Sequence, residues 1–255
     1  MADPVLIETD GSVTTIRLNR PEKKNAVTLA MYDAMTAALA AAVEDPAVRL
    51  VILRGGPDFS AGNDLSDFLA GGGETGLKSV LGFLDAVSRF PKPLVAGVEG
   101  VAIGIGTTVL LHCDVVLAAP SARFALPFTQ LALVPEAASS LLLPATAGRL
   151  RASWWLLTGE GFDAAAALDA GLVTRVVADG ALDAELHAVA ARLAALPPAA
   201  IRQTKALLRA PVQDAVRDAM AREAAAFGAQ LNSAEAKEAF TAFLEKRKPD
   251  FSRFG

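Results

Sequence analysis

Between residues 5 and 177, short apolar runs of strand length alternate with helical patterns, and glycines sit at the joints. This alternation points to an α/β architecture with mostly parallel pairing, because each helix returns the chain to the start of the next strand. Residues 5–18 alternate about Asp10-Gly11, a hairpin signal. Thr28 stands where an N-cap belongs, ahead of an Ala-rich helical pattern to residue 43. The apolar run 48–54 reads as a buried strand ending at Gly55-Gly56. Residues 59–65 form a loop entering a helix, Gly71-Gly72-Gly73 a flexible break, and 77–90 a further helix. The grammar then repeats, with a strand at 93–98, a glycine turn, a helix near 105–112, and strands at 115–118 and 123–126. Helices are expected at 136–147 and 151–157, an N-cap at Asp163, and a last strand at 173–177. From Leu182 the pattern is helical only, interrupted at Pro197-Pro198, which divides the chain into a core, 1–196, and a helical section, 197–255.

Composition removes several classes of function. With 53% hydrophobic and 20% charged residues among 255, the chain can bury a large core. A net charge of −4, with no Lys/Arg run of the nucleic-acid type, disfavours a nucleic acid partner. Stretches free of charge fall short of the roughly 18 residues of a membrane-spanning helix; the one between Glu99 and Asp114 is also broken by Gly100, Gly104 and Gly106. Asp3, Glu8 and Asp10 leave no basic start of the signal-peptide kind. Cys113 is the single cysteine, so neither a disulfide nor a cysteine-rich metal site is expected, and no metal-ligand spacing is visible. A soluble cytoplasmic protein without membrane or metal is the expectation.

Three segments could carry chemistry. Phe59-Ser60-Ala61-Gly62-Asn63-Asp64-Leu65 follows a strand and opens a helix, where unpaired backbone N–H groups can hold a developing negative charge. Gly100-Val101-Ala102-Ile103-Gly104-Ile105-Gly106 has the same grammar without a dinucleotide fingerprint. Two such turns aimed at one oxygen would make an oxyanion hole; read plainly, they are two tight packing turns. In Val134-Pro135-Glu136, Pro135 suits the first position of a helix and Glu136 its first turn, where the dipole favours a carboxylate. Alternatively, the leucines around Glu136 (Leu131, Leu133, Leu141) make an apolar pocket that raises its pKa toward that of a general base. His112 and His187 read as structural, and Trp154-Trp155 as packing between helices.

The ordered set Asn19-Arg20-Pro21 with Asn25, Phe59-Ser60-Ala61-Gly62-Asn63-Asp64-Leu65, Pro91-Lys92-Pro93, Gly100-Val101-Ala102-Ile103-Gly104, Cys113-Asp114, Gly171-Leu172-Val173 and Phe243-Leu244-Glu245-Lys246-Arg247-Lys248 resembles the enoyl-CoA hydratase/isomerase (crotonase) family. The resemblance covers nearly the whole chain. It implies a spiral of repeated strand–strand–helix turns with a C-terminal helical section used in trimer packing, and a homotrimer or hexamer. It implies acyl-CoA thioester substrates, with CoA arriving as part of the substrate and no other cofactor. The oxyanion N–H groups carry over to Asn63 and Ile105. CoA contacts carry over to backbone around Lys24, Ala26 and the run Ala61, Gly62, Asn63, Asp64 and Leu65, and Lys246 resembles a basic residue that reaches the CoA phosphates.

Hydratases of the family use two glutamates; the corresponding positions here are Thr108 and Phe128. Glu136 stands where Δ3,Δ2-enoyl-CoA isomerases carry their single base. The resemblance therefore implies a shift of a 3-enoyl-CoA to the trans-2-enoyl-CoA, with Thr108 and Phe128 as dry walls. Alternatives are an enoyl-CoA hydratase or other crotonase reaction, such as isomerisation of an epoxide-derived CoA, and an inactive acyl-CoA-binding paralogue. The glycines 71–73 would let that segment move over an acyl tail. The run Gly62-Asn63-Asp64-Leu65, with Pro127-Phe128-Thr129 and Pro135-Glu136, looks especially like the peroxisomal-type isomerases, yet the sequence closes on Arg253-Phe254-Gly255 rather than Ser-Lys-Leu.

Overall fold

A computed structural model describes residues 3–70 and 74–254; the glycine break 71–73 lies outside the described residues. The hairpin forms as expected. β1 (Val5–Asp10) pairs antiparallel with β2 (Val13–Leu18), and Asp10 faces Val13 across the turn. Gly11, the first of the two turn residues, takes φ +55, as a hairpin between right-twisted strands requires. Thr28 caps α1 (Leu29–Glu44), accepting a hydrogen bond from the Met31 amide.

The remaining strands of the first sheet are β3 (Leu50–Arg54), β4 (Leu94–Val98), β6 (Val115–Ala118) and β9 (Arg175–Val176). In the order β1-β2-β3-β4-β6-β9, every pair after the hairpin is parallel. Central parallel strands are covered on both faces and so read as unbroken apolar runs. In β3 and its neighbours the faces divide with period two. Leu50, Ile52, Val95 and Leu117 pack under Leu182, Leu186 and Ala190 of α8 (Leu182–Ala194), whereas Val51, Leu53, Leu94, Ala96 and Val116 face the main core. Gly97 belongs to this packing: a Cβ there would meet Leu186 Cδ1 at 2.4 Å.

A second sheet holds β5 (Val101–Ile103), β7 (Arg123–Ala125) and β8 (Phe162–Asp163). Bridges from Ser60 to Ala102 and from Val27 to Asn63 extend its layer towards the first glycine turn. The coils that begin at β4 and β6 thus each lay one strand in each sheet and return by a helix. The sequence pattern does not anticipate β5 or β8, and it overextends the last strand to 173–177. Strands of two or three residues have too few side chains to show a period, and their neighbours in the sheet decide them.

The helices of the middle are α2 (Leu65–Ala70), α3 (Glu74–Arg89), α4 (Ile105–Thr108), α5 (Ser139–Ala147), α6 (Arg149–Thr158) and α7 (Ala164–Asp169), the last capped by Asp163 as expected. The helix expected at 136–147 begins only at Ser139, a correction with consequences for Glu136. Trp155 stacks on Phe162 with ring centroids 3.7 Å apart, but its neighbour Trp154 is more than half exposed and does not pack between helices. After α8 come α9 (Pro198–Arg209), α10 (Gln213–Leu231) and α11 (Ala234–Leu244). Lys205 ties α9 inward, its Nζ donating to Lys92 O at 2.6 Å and to Asp114 Oδ2 at 2.5 Å, and α10 packs on α5. No helix among the described residues is long and apolar enough to cross a membrane.

Candidate active site

The two glycine turns are locked together by backbone. Ser60 N–H donates to Val101 O, and Ile103 N–H donates to Ser60 O. Both contacts require glycine: a Cβ on Gly62 would lie 2.9 Å from Ile103 O, and one on Gly106 would lie 2.8 Å from Ser60 O. Gly62 also has φ +91, outside the range L residues favour. Val27 N–H donates to Gly62 O while Asp64 N–H donates to Val27 O. In a parallel bridge of this kind the residue between them, Asn63, turns its own N–H to the opposite side. In the other turn, Gly104 (φ +55) ends β5 and Ile105 is the first residue of α4, so the Ile105 N–H lacks an intrahelical acceptor. Asn63, Gly104 and Ile105 all line one cleft of about 990 Å³.

Side chains around the first turn hold it in place. Asn25, buried and left-handed, accepts from Arg20 N–H through Oδ1 and donates through Nδ2 to Asp58 O. Arg20 reaches Asp64 Oδ2 at 2.7 Å. Tyr32, the only tyrosine of the chain, donates its hydroxyl to Asn63 Oδ1 at 2.5 Å. Burial, and secondarily the neighbouring Glu136, hold the Tyr32 phenol well above its ordinary pKa, so it remains a donor. The part played by Tyr32 was not drawn from the sequence; its uniqueness in an Ala-rich helix was the available signal.

Glu136 sits in the bend ahead of α5, followed by Ala137 and Ala138 at φ +60 and +55. It is therefore not a first-turn residue, and the dipole of α5 does not explain it. The carboxyl is 6% exposed and pushed up to about 7, chiefly by burial and next by the charge of Glu223, with the Thr108 hydrogen bond opposing. Thr108 Oγ1 lies 3.4 Å from Glu136 Oε1. Thr108 is thus a polar partner of Glu136 rather than a dry wall, whereas Phe128 does line the cleft. Glu136 borders a small cavity of about 20 Å³ behind Asn63, walled by Leu77, Val80, Leu81 and Leu84 of α3 and Met220 of α10. Asn63 and Phe227 are common to that cavity and the large cleft.

Of the residues expected to contact CoA, Ala26, Ala61, Gly62, Asn63, Asp64 and Leu65 line the cleft. Lys24 and Lys246 lie exposed outside its lining, both in left-handed conformations. The cations that do line it are Arg20, Lys23, Arg247 and Lys248. His112 is structural: burial pushes it down to about 4, so the ring is neutral, and its Nε2 donates to Ala137 O at 2.8 Å. His187 lies exposed on α8. Cys113 is held above its usual range, to about 12, mainly by burial.

Stacked strand–strand–helix coils bearing two interlocked amide turns define a crotonase-like enzyme fold. The chain belongs to the enoyl-CoA hydratase/isomerase family, whose model matches residues 8–253. Members of this family act on acyl-CoA thioesters. The chain is 36% identical over 251 residues to enoyl-CoA delta isomerase 2 of Rattus norvegicus, covering 96% of this chain and 64% of that one. It is also 36% identical over 251 residues to a probable enoyl-CoA hydratase of Rhodobacter capsulatus, covering 96% of each. A solved enoyl-CoA hydratase/isomerase from Pseudoalteromonas atlantica superimposes with a TM-score of 0.92 at 45% identity, over 98% of this chain and all of the other.

Proposed function

We propose that the protein moves the double bond of a 3-enoyl-CoA to the trans-2 position. The observation that carries this is Glu136: a buried carboxylate pushed up to about 7, adjoining Asn63 of the amide turns, with Thr108 and Phe128 where a hydratase would hold acids. Glu136 removes a proton from C2 of the substrate. The C2–H electron pair moves into the C1–C2 bond, and negative charge gathers on the thioester oxygen between the Asn63 and Ile105 N–H groups. The same carboxyl then returns the proton at C4 as the double bond settles at C2–C3. Donors fixed in advance at a developing oxyanion typically contribute about a hundredfold or more in rate each. Glu223 also borders the small cavity, but the Ala138 and Ser140 amides and the Ser140 hydroxyl already engage its carboxylate, so it does not act as a second acid.

Arg20, Lys23, Arg247 and Lys248 give the cleft a cationic margin suited to the phosphates of CoA. Leu150, Trp154 and Leu157 form an exposed apolar stripe on α6, which supports assembly into a homotrimer or hexamer with 197–255 contributing to the packing. The hydratase reading draws on relatives of that name at equal identity. Purified protein given a trans-3-enoyl-CoA and, separately, a trans-2-enoyl-CoA separates the two. Conversion of the former at least about a hundred times faster than water addition to the latter is expected, since hydration lacks its second acid/base group. Rapid formation of 3-hydroxyacyl-CoA would overturn the assignment.

A further inference from the structure

Glu223 lies on α10, 87 residues beyond Glu136 in the chain, yet it closes the turn that carries Glu136. Its Oε2 accepts from the Ala138 amide at 2.6 Å, and its Oε1 accepts from the Ser140 amide at 2.9 Å and the Ser140 hydroxyl at 2.5 Å. The carboxylate is 7% exposed. The backbone it holds is strained, because two consecutive alanines in the left-handed region cost on the order of 1 kcal/mol or more each. Left-handed residues persist where surrounding contacts over-determine them. Here those contacts are His112 Nε2 on Ala137 O, Ser139 Oγ on Glu136 O at 2.6 Å, and the two oxygens of Glu223.

From this geometry we propose that Glu223 is a positioning residue for the base. It fixes the Ala137–Ala138 turn so that Glu136 faces the amide turns, and it sets a like charge beside Glu136. This rests on the reading of Glu136 as the base. A neighbouring negative charge disfavours ionisation of Glu136 and so makes it a stronger base once ionised. Among the described residues, the titratable groups facing Glu136 are Tyr32 from α1 and Glu223 from α10. Thr108 of α4 contributes only a hydroxyl, and α3 presents only leucines and Val80 to the cavity. His112 meets the turn at Ala137 O and is uncharged at neutral pH. Glu223 is thus the one anion close enough to matter.

Two variants weight charge and tether differently. Glu223→Gln removes the charge and keeps the oxygen that faces Ser140, but loses the acceptor for the Ala138 amide. Glu223→Asp keeps the charge and shortens the reach. The ionisation of Glu136 is followed by infrared difference titration, with Glu136→Gln as the blank, and in parallel by the pH profile of kcat/KM on a 3-enoyl-CoA. For Glu223→Gln the midpoint of Glu136 is expected to fall by on the order of one pH unit, and the acid limb of the profile to move with it. Glu223→Asp is expected to leave the midpoint within a few tenths of a unit of wild type and to lower kcat about tenfold with KM little changed, as a misaimed base would. A Glu136 midpoint unmoved in folded Glu223→Gln, or wild-type kcat in Glu223→Asp, overturns the proposal. Because the infrared titration needs no turnover, a protein that failed to isomerise while its Glu136 midpoint still moved would refute the isomerase assignment and leave the coupling of Glu223 to Glu136 standing.

Discussion

Replacing Glu136 with glutamine has two consequences of opposite sign. The carboxyl lies near 4.5 in an ordinary glutamate and is pushed up to about 7 here, mainly by burial and then by Glu223. The folded protein therefore holds this proton more tightly than the unfolded chain does. The stabilisation from the bound proton is full below about pH 4.5 and is lost as pH rises through about 7, beyond which ionised Glu136 costs the fold about 3 kcal/mol. Glu136→Gln has no such titration. Relative to wild type it is expected to gain up to about 3 kcal/mol at pH 8, a gain that shrinks to nothing near pH 4. Urea unfolding of both proteins across that range gives the difference, since titrating groups remote from Glu136 cancel. Catalysis runs the other way. As the proposed base, Glu136 must be ionised for turnover, and that population falls roughly tenfold from pH 8 to pH 6 for a group near 7. The variant is expected to lose about a hundredfold or more throughout. The ultraviolet absorbance of the conjugated thioester reports the rate. A wild-type rate flat between pH 6 and pH 8, or a variant that loses rather than gains stability as pH rises, would refute the claim that burial makes Glu136 a base.

Gly62→Ala is expected to lower kcat at least tenfold, because φ +91 and the contact with Ile103 O force the Asn63 amide to move; unchanged steady-state kinetics would mean that Asn63 holds no oxyanion. Lys205→Met leaves Asp114 with the Leu94 amide and Arg209, the latter at 3.8 Å, and is expected to cost about 3 kcal/mol in urea unfolding, discounted because Asp114 is partly exposed. An unchanged midpoint would show that α9 is held by its other contacts alone.

Much of this molecule could be read along the chain. The Thr28 cap, the Asp10-Gly11 turn, the apolar run of β3 and the Asp163 cap are local: a residue and its near neighbours decide each one, and each forms as read. The glycines of the two turns were legible as turns. That Gly62 abuts Ile103 O and Gly106 abuts Ser60 O was not, because those contacts join segments some forty residues apart. Glu136 was legible as a candidate base and as a helix-start acid at once. Only the start of α5 at Ser139 removes the second reading.

The sequence by itself determined the order of the longer strands and helices, the family, and the residue types at each turn, since period, caps and glycine placement act over a few residues. The tertiary structure decided what those residues can do. A lone glutamate in a leucine-rich stretch is an ordinary acid in an unfolded chain. It becomes a group near 7 only when α3 and α10 close over it and exclude water, and when Glu223 arrives from 87 positions away. Desolvation and charge act through space, so their magnitude is fixed by packing and cannot be written in the local pattern.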